Sequence, residues 1–163
     1  MTPDRRGSAS IEFPNELEVV ITRAFDAPIA LVFEVLTKPE HVRRWGATPP
    51  DQMTECTIDL RVGETYRSSF VTEDGTVFTF SGTYLEVEPP IRTTQTWNFN
   101  CWPDAAAVET MELNETDGVT TLTWSLAFRD QAGRDHMTAF DGQQDSLNEM
   151  EDILKALLDV DRA

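Results

Sequence analysis

Apolar and polar residues alternate from Leu17 to Thr22, with Leu17, Val19 and Ile21 set against Glu18, Val20 and Thr22. That period of two predicts a strand with one mostly buried face. The period then changes. Ile29, Val32, Phe33 and Leu36 recur at i, i+3, i+4 and i+7, which predicts a helix with one apolar side, entered from Asp26 through Ala27-Pro28. Thr37-Lys38-Pro39 ends it, and Glu40 to Trp45 reads as a short second helix closed by Gly46. Beyond the loop ATPPDQ come MTECTIDL, ETYRSSFVT, TVFTFSGTYLEV, IRTTQTWNFNC, AVETMELN and VTTLTWSLAF, all rich in Thr, Val and aromatic residues. Val62-Gly63, Glu73-Asp74-Gly75, Pro89-Pro90, Trp102-Pro103-Asp104 and Thr116-Asp117-Gly118 separate them. Links this short force neighbouring strands antiparallel, and Asp-Gly at a tip is a hairpin signal. From Arg134 a helical period returns through Met137, Phe140, Gln144, Leu147, Leu154 and Leu157 to Val160. It predicts one final helix of ~25 residues, ~37 Å long.

This order defines an α+β fold: a curved antiparallel sheet of seven strands, two short helices after the first strand, and one long C-terminal helix. A twisted sheet of that width curls, and the long helix closes its concave side. Residues 1–15 read as a flexible leader, with no apolar stretch behind Arg5-Arg6 to make a secretory signal. Residues 16–160 are expected to form a single domain.

Composition narrows the function classes. The 163 residues are 40% hydrophobic and 26% charged, which suits a folded chain. No run approaches the ~20 apolar residues of a membrane helix, so no membrane insertion is expected and the cytoplasm is the expected location. Thirteen Lys and Arg against 29 Asp and Glu leave a net charge of −16. That balance disfavours binding to nucleic acid. Cys56 and Cys101 read as small buried hydrophobes. His41, beside Arg43 and Arg44, is expected to face solvent, and His136 to stand as a turn residue opening the last helix. The two histidines make no metal motif, and no phosphate loop, dinucleotide fingerprint or serine elbow occurs, so no metal or cofactor is expected.

Several motifs in order carry a family likeness: Arg23, Phe25, Ala27-Pro28, Val32-Phe33, Leu36-Thr37, Pro39-Glu40 and Trp45, then Val62-Gly63 with Tyr66, Asp74-Gly75, Gly82 before YLEVEPP, QTWNF and VTTLTWS. From about Leu17 to Leu158 the chain resembles the START-like, or helix-grip, superfamily (SRPBCC). Within it the chain is most similar to the group related to the C-terminal domain of heat-shock-protein-90 ATPase activators. The resemblance implies a pocket between the sheet and the long helix.

Strand parity says which side chains would face that pocket. Tyr66, Ser68 and Phe70 share a face, as do Phe78, Phe80 and Tyr84, then Thr93, Gln95, Trp97 and Phe99, and Leu122, Trp124 and Leu126. Glu109 shares one with Met111 and Leu113. The candidate ligand-binding set takes Tyr66, Phe78, Phe80, Gln95, Trp97, Phe99, Glu109 and Trp124 from these strands, Phe33 and Trp45 from the first helices, and Phe140 and Gln144 from the last. The polar members are informative, because burying an unpaired amide costs ~1–3 kcal/mol and a carboxylate more, unless it protonates. An apolar pocket with few convergent polar groups is the form of a small-molecule site. The expected function is therefore binding of a small, largely apolar or amphipathic ligand by a carrier, sensor or sequestering protein. Burying ~200 Å² of apolar ligand surface would contribute ~5 kcal/mol before entropic costs. Two alternatives stand beside it. One is an enzyme of cyclase, aromatase or hydrolase type using Glu109, His136 or Tyr66 as acid or base; the other is a chaperone co-factor or similar interaction module. Catalytic residues are not assigned, and a homodimer stays open.

Overall fold

The structure is a computed structural model and describes residues 5, 7–47, 51–100, 106–138 and 143–162. Strands β1 (Ser10–Glu12) and β2 (Glu18–Phe25) lead into helices α1 (Ile29–Thr37) and α2 (Pro39–Trp45). Strands β3 (Gln52–Ile58), β4 (Thr65–Val71), β5 (Val77–Glu88), β6 (Arg92–Phe99), β7 (Ala107–Thr116) and β8 (Val119–Phe128) follow, then helices α3 (Gln131–Thr138) and α4 (Gln143–Arg162). Alternation in sequence becomes alternation in burial. Val19, Ile21, Arg23 and Phe25 of β2 are buried, and their neighbours are only partly so. All pairings are antiparallel, in the order β1-β2-β8-β7-β6-β5-β4-β3. Consecutive strands β2 and β3 thus lie far apart in the sheet, and α1 and α2 carry the chain between them.

The β7–β8 hairpin shows how local sequence sets register. Asp117 (φ 52°) and Gly118 (φ 80°) both take left-handed backbone between the paired Thr116 and Val119. A two-residue loop of that kind matches strand twist, and Asp-Gly is among the few pairs that enter it cheaply. Register then aligns Glu109 with Leu126 and Met111 with Trp124 across the pair.

Among the described residues the sheet has eight strands, not the seven expected. The extra one is β1, inside the stretch read as a leader, pairing Ile11 with Ile21. Its residues are all exposed, so no hydrophobic alternation marks it in the sequence. Arg5 anchors the same segment through two hydrogen bonds to Asp26, at 2.9 and 3.1 Å. Asp26 therefore does not cap α1. The N-cap is Pro28, and the Ile29 N–H is met by Glu115 Oε1 at 2.6 Å.

The stretch expected as one final helix falls in two elements, α3 and α4, among the described residues. Helix α4 buries Leu147, Met150, Ile153 and Leu154 in a core shared with Val19, Ile21, Val32, Val35 and Leu122. Among them runs an ion pair, Arg23 to Glu151 at 3.0 Å, with both side chains almost wholly buried. His41 is buried rather than solvent-facing, with Nε2 3.8 Å from Glu34 Oε2. The buried face of α2 runs through His41, Val42 and Trp45.

Candidate functional site

Between the curled sheet and the helices lies a pocket of about 450 Å³. Its walls follow strand parity: Tyr66, Ser68 and Phe70 from β4, Phe78, Phe80 and Tyr84 from β5, Thr93, Gln95, Trp97 and Phe99 from β6. Glu109 and Met111 of β7 and Trp124, Leu126 and Phe128 of β8 extend them, and Leu36, Val42, Trp45, Met137 and Ser146 close the helical side. The rings form a continuous surface. Phe80 stacks on Phe99 at 4.9 Å and on Phe70 at 5.8 Å, and packs against Trp97 at 5.3 Å. Trp97 meets the edge of Phe128 at 5.7 Å, and Trp45 meets Trp124 at 6.3 Å. Phe70, Phe78, Phe80 and Trp97 point inward yet stay only partly buried.

One polar cluster interrupts the apolar wall. Gln95 and Glu109 sit opposite each other on β6 and β7, and the Gln95 amide donates to Glu109 Oε1 at 2.8 Å. Trp124 Nε1 donates to Glu109 Oε2 at 2.7 Å. Burial pushes the Glu109 carboxyl above its usual range, while the two donors pull it back. Gln95 Oε1 is buried with no hydrogen-bond partner. Burial also raises the Tyr66 and Tyr84 hydroxyls, so both are neutral donors at ordinary pH. Trp45 spends its Nε1 on the Val35 carbonyl of α1 at 2.9 Å, which locks the ring where α1 and α2 meet.

Gly82 sets the position of Tyr66. The two residues pair across β4 and β5, and the Tyr66 hydroxyl reaches over to donate to the Thr96 carbonyl of β6 at 3.0 Å. A Cβ at position 82 would stand 1.7 Å from that carbonyl oxygen and 2.8 Å from the Tyr66 ring. Only glycine lets strand and ring approach this closely.

Of the sequence-derived candidates, Trp45, Tyr66, Phe78, Phe80, Gln95, Trp97, Phe99, Glu109 and Trp124 border the pocket. Phe33 does not. It is half-buried, because α1 turns Val32, Val35 and Leu36 inward instead. Gln144 does not either; its side chain bonds the Ala9 backbone, donating at 3.0 Å and accepting at 3.4 Å. Phe140 and Cys101 lie outside the described residues. Cys56 is buried on β3. His136 falls in the last turn of α3 and is not part of the lining. Sequence parity missed Met53 and Ile58, which line the pocket although their positions differ by an odd number. A bulge between Met53 and Glu55 absorbs the extra residue and restores both to one face. Asp51, just before β3, borders the pocket as well and carries no periodic signal.

Among the described residues, no cluster of three or more His, Cys, Asp or Glu side chains could hold a metal ion. No helix among them is long and apolar enough to cross a membrane.

A curled antiparallel sheet whose open face is closed by helices over an aromatic pocket defines an α+β protein of the helix-grip type. The chain belongs to the family described as activator of Hsp90 ATPase homolog 1-like protein, whose pattern it matches over residues 26–158. Solved structures share the fold. A Rhodobacter sphaeroides protein superposes with a TM-score of 0.84 at 20% identity, over 91% of this chain and 99% of its own. Protein Ms6760 from Mycobacterium smegmatis gives 0.79 at 17% identity, over 89% and 95%. Protein NE0264 from Nitrosomonas europaea gives 0.76 at 24% identity, over 89% and 98%. No curated protein matches the sequence significantly.

Proposed function

We propose that this protein binds a small, largely apolar molecule between its sheet and its helices, as a carrier, sensor or sequestering protein. One observation supports this above the rest: inward-facing Phe70, Phe78, Phe80 and Trp97 are left partly uncovered beside a pocket of about 450 Å³. Protein interiors ordinarily close over such rings at crystal-like density. A volume in this range suits a compact organic ligand. Native mass spectrometry of freshly purified protein is expected to carry a co-purified small molecule, lost on Trp97→Ala or Phe99→Ala. A bare spectrum, together with no change in tryptophan emission across a panel of apolar compounds, would overturn the reading.

A second reading has one observation in its favour: Glu109 is a buried carboxyl held above its usual range inside the pocket, as general acids often are. Both its oxygens already accept hydrogen bonds from the protein, and His136 is not among the residues that line the pocket. Binding without chemistry is therefore placed first.

A further inference from the structure

The pocket is lined by acids and by hydroxyls that can both donate and accept, with no cationic side chain among the described residues. No Lys, Arg or His borders it among the described residues, whereas Asp51 and Glu109 both do. Gln95 Oε1, on a side chain 4% exposed, faces no donor. An unmet buried acceptor is costly, and a ligand donor is what would relieve it. The aromatic walls add to the same preference, because ring faces carry the negative part of the quadrupole. The whole chain, at −16, raises the local concentration of cations over anions.

We infer that the pocket selects an organic amine: an aromatic or branched apolar body lying on the Phe80–Trp97 wall, with its ammonium donating to Gln95 Oε1 and the Glu109 carboxylate. This rests on the pocket being a binding site, and names the class of molecule that the site takes. An ammonium at hydrogen-bond distance favours the ionised form of Glu109, so it offsets part of the cost of burying that charge. Of the ionisable groups near Glu109, Tyr66 on β4 and Tyr84 on β5 are raised by burial and neutral, and the acidic side chain of Asp51 borders the same pocket. A carboxylate ligand would meet two acidic side chains and no cationic counter-charge, which disfavours fatty and aromatic acids.

Three molecules with one body separate the outcomes: naphthylmethylamine, naphthylmethanol and naphthoic acid, titrated into the wild-type protein by calorimetry and tryptophan emission. The amine is expected to bind at least about tenfold tighter than the alcohol, with the acid weakest. Glu109→Gln is expected to bring the amine and alcohol affinities together, because the charged acceptor is gone while the apolar wall remains. Alcohol binding as tightly as amine, or acid binding best, overturns the amine preference and leaves the pocket reading intact. Failure of all three to bind overturns the amine proposal, and with a bare native mass spectrum it overturns the pocket reading as well. The wild-type series needs no variant, so an unstable Glu109→Gln protein does not shelter the proposal.

Discussion

The Gln95 amide donates to Glu109 Oε1 at 2.8 Å, while its own oxygen has no partner. Cross-strand register makes the pair: residue 95 on β6 lies opposite residue 109 on β7, and both face the pocket. The carboxyl is thus half supported. Two donors favour its ionised form, but burial outweighs them and moves its proton affinity upward.

That direction makes Glu109 a pH-dependent term in stability. Between the ordinary carboxyl range and the raised folded value, the folded state holds a proton that the unfolded state has lost. Stability from this group therefore declines as pH rises through that window, and the term vanishes at pH low enough to protonate both states. Glu34, Asp59 and Asp74 are shifted down by their partners and act in the opposite sense, but they are common to wild type and variant. Thermal melts of Glu109→Gln and wild type should diverge in favour of the variant as pH rises above the ordinary carboxyl range. A constant difference would mean that the carboxyl titrates normally.

Two phenylalanines compare filled core with pocket wall. Phe25 is 1% exposed, whereas Phe80 borders the pocket and keeps part of its surface uncovered. Phe25→Ala should cost about 3–5 kcal/mol in urea unfolding, and Phe80→Ala less than about half of that, because fewer packed contacts are lost. Equal losses would indicate that the wall is packed as tightly as the core.

Arg23 and Glu151 tie β2 to α4 inside the core, and Arg23 also lies over the Phe25 ring at 4.7 Å. Removing one partner strands a buried charge. Arg23→Met alone is expected to cost about 3–5 kcal/mol, and Arg23→Met with Glu151→Leu to recover most of it. Lys155, 3.3 Å from Glu151 Oε2, is too exposed to substitute for Arg23. A double variant no more stable than the single one would show the ion pair itself to be the main term.

Gly82 and Tyr66 predict a rank order. Tyr66→Phe removes one hydrogen bond, to the Thr96 carbonyl, and should cost about 1 kcal/mol. Gly82→Ala must displace backbone, since its Cβ falls 1.7 Å from that same oxygen, and should cost more, by about 1–3 kcal/mol. Denaturant midpoints measured in parallel would check the order.

Much of the wall is legible in the sequence. Alternation along β4, β5 and β6 placed Tyr66, Phe80, Gln95 and Trp97 on inward faces, and burial of Glu109 followed from its company with Met111 and Leu113. Parity holds while a ladder is regular. It failed in β3, where the bulge after Met53 shifts the face by one residue, and it cannot register β1, whose residues bury nothing.

Local periods and turn chemistry thus sufficed for the strand sequence, the two helices after β2 and the antiparallel hairpins, because each depends on residues close together in the chain. Which helix face turns inward, whether Gln95 finds a second partner, and whether the aromatic wall closes on itself or leaves a gap depend on elements far apart in sequence. The placing of Gln144 against Ala9, of Phe33 away from the pocket and of Arg23 against Glu151 belongs to that second kind. Distance in the chain separates the two groups: packing between remote elements has no periodic signature to read.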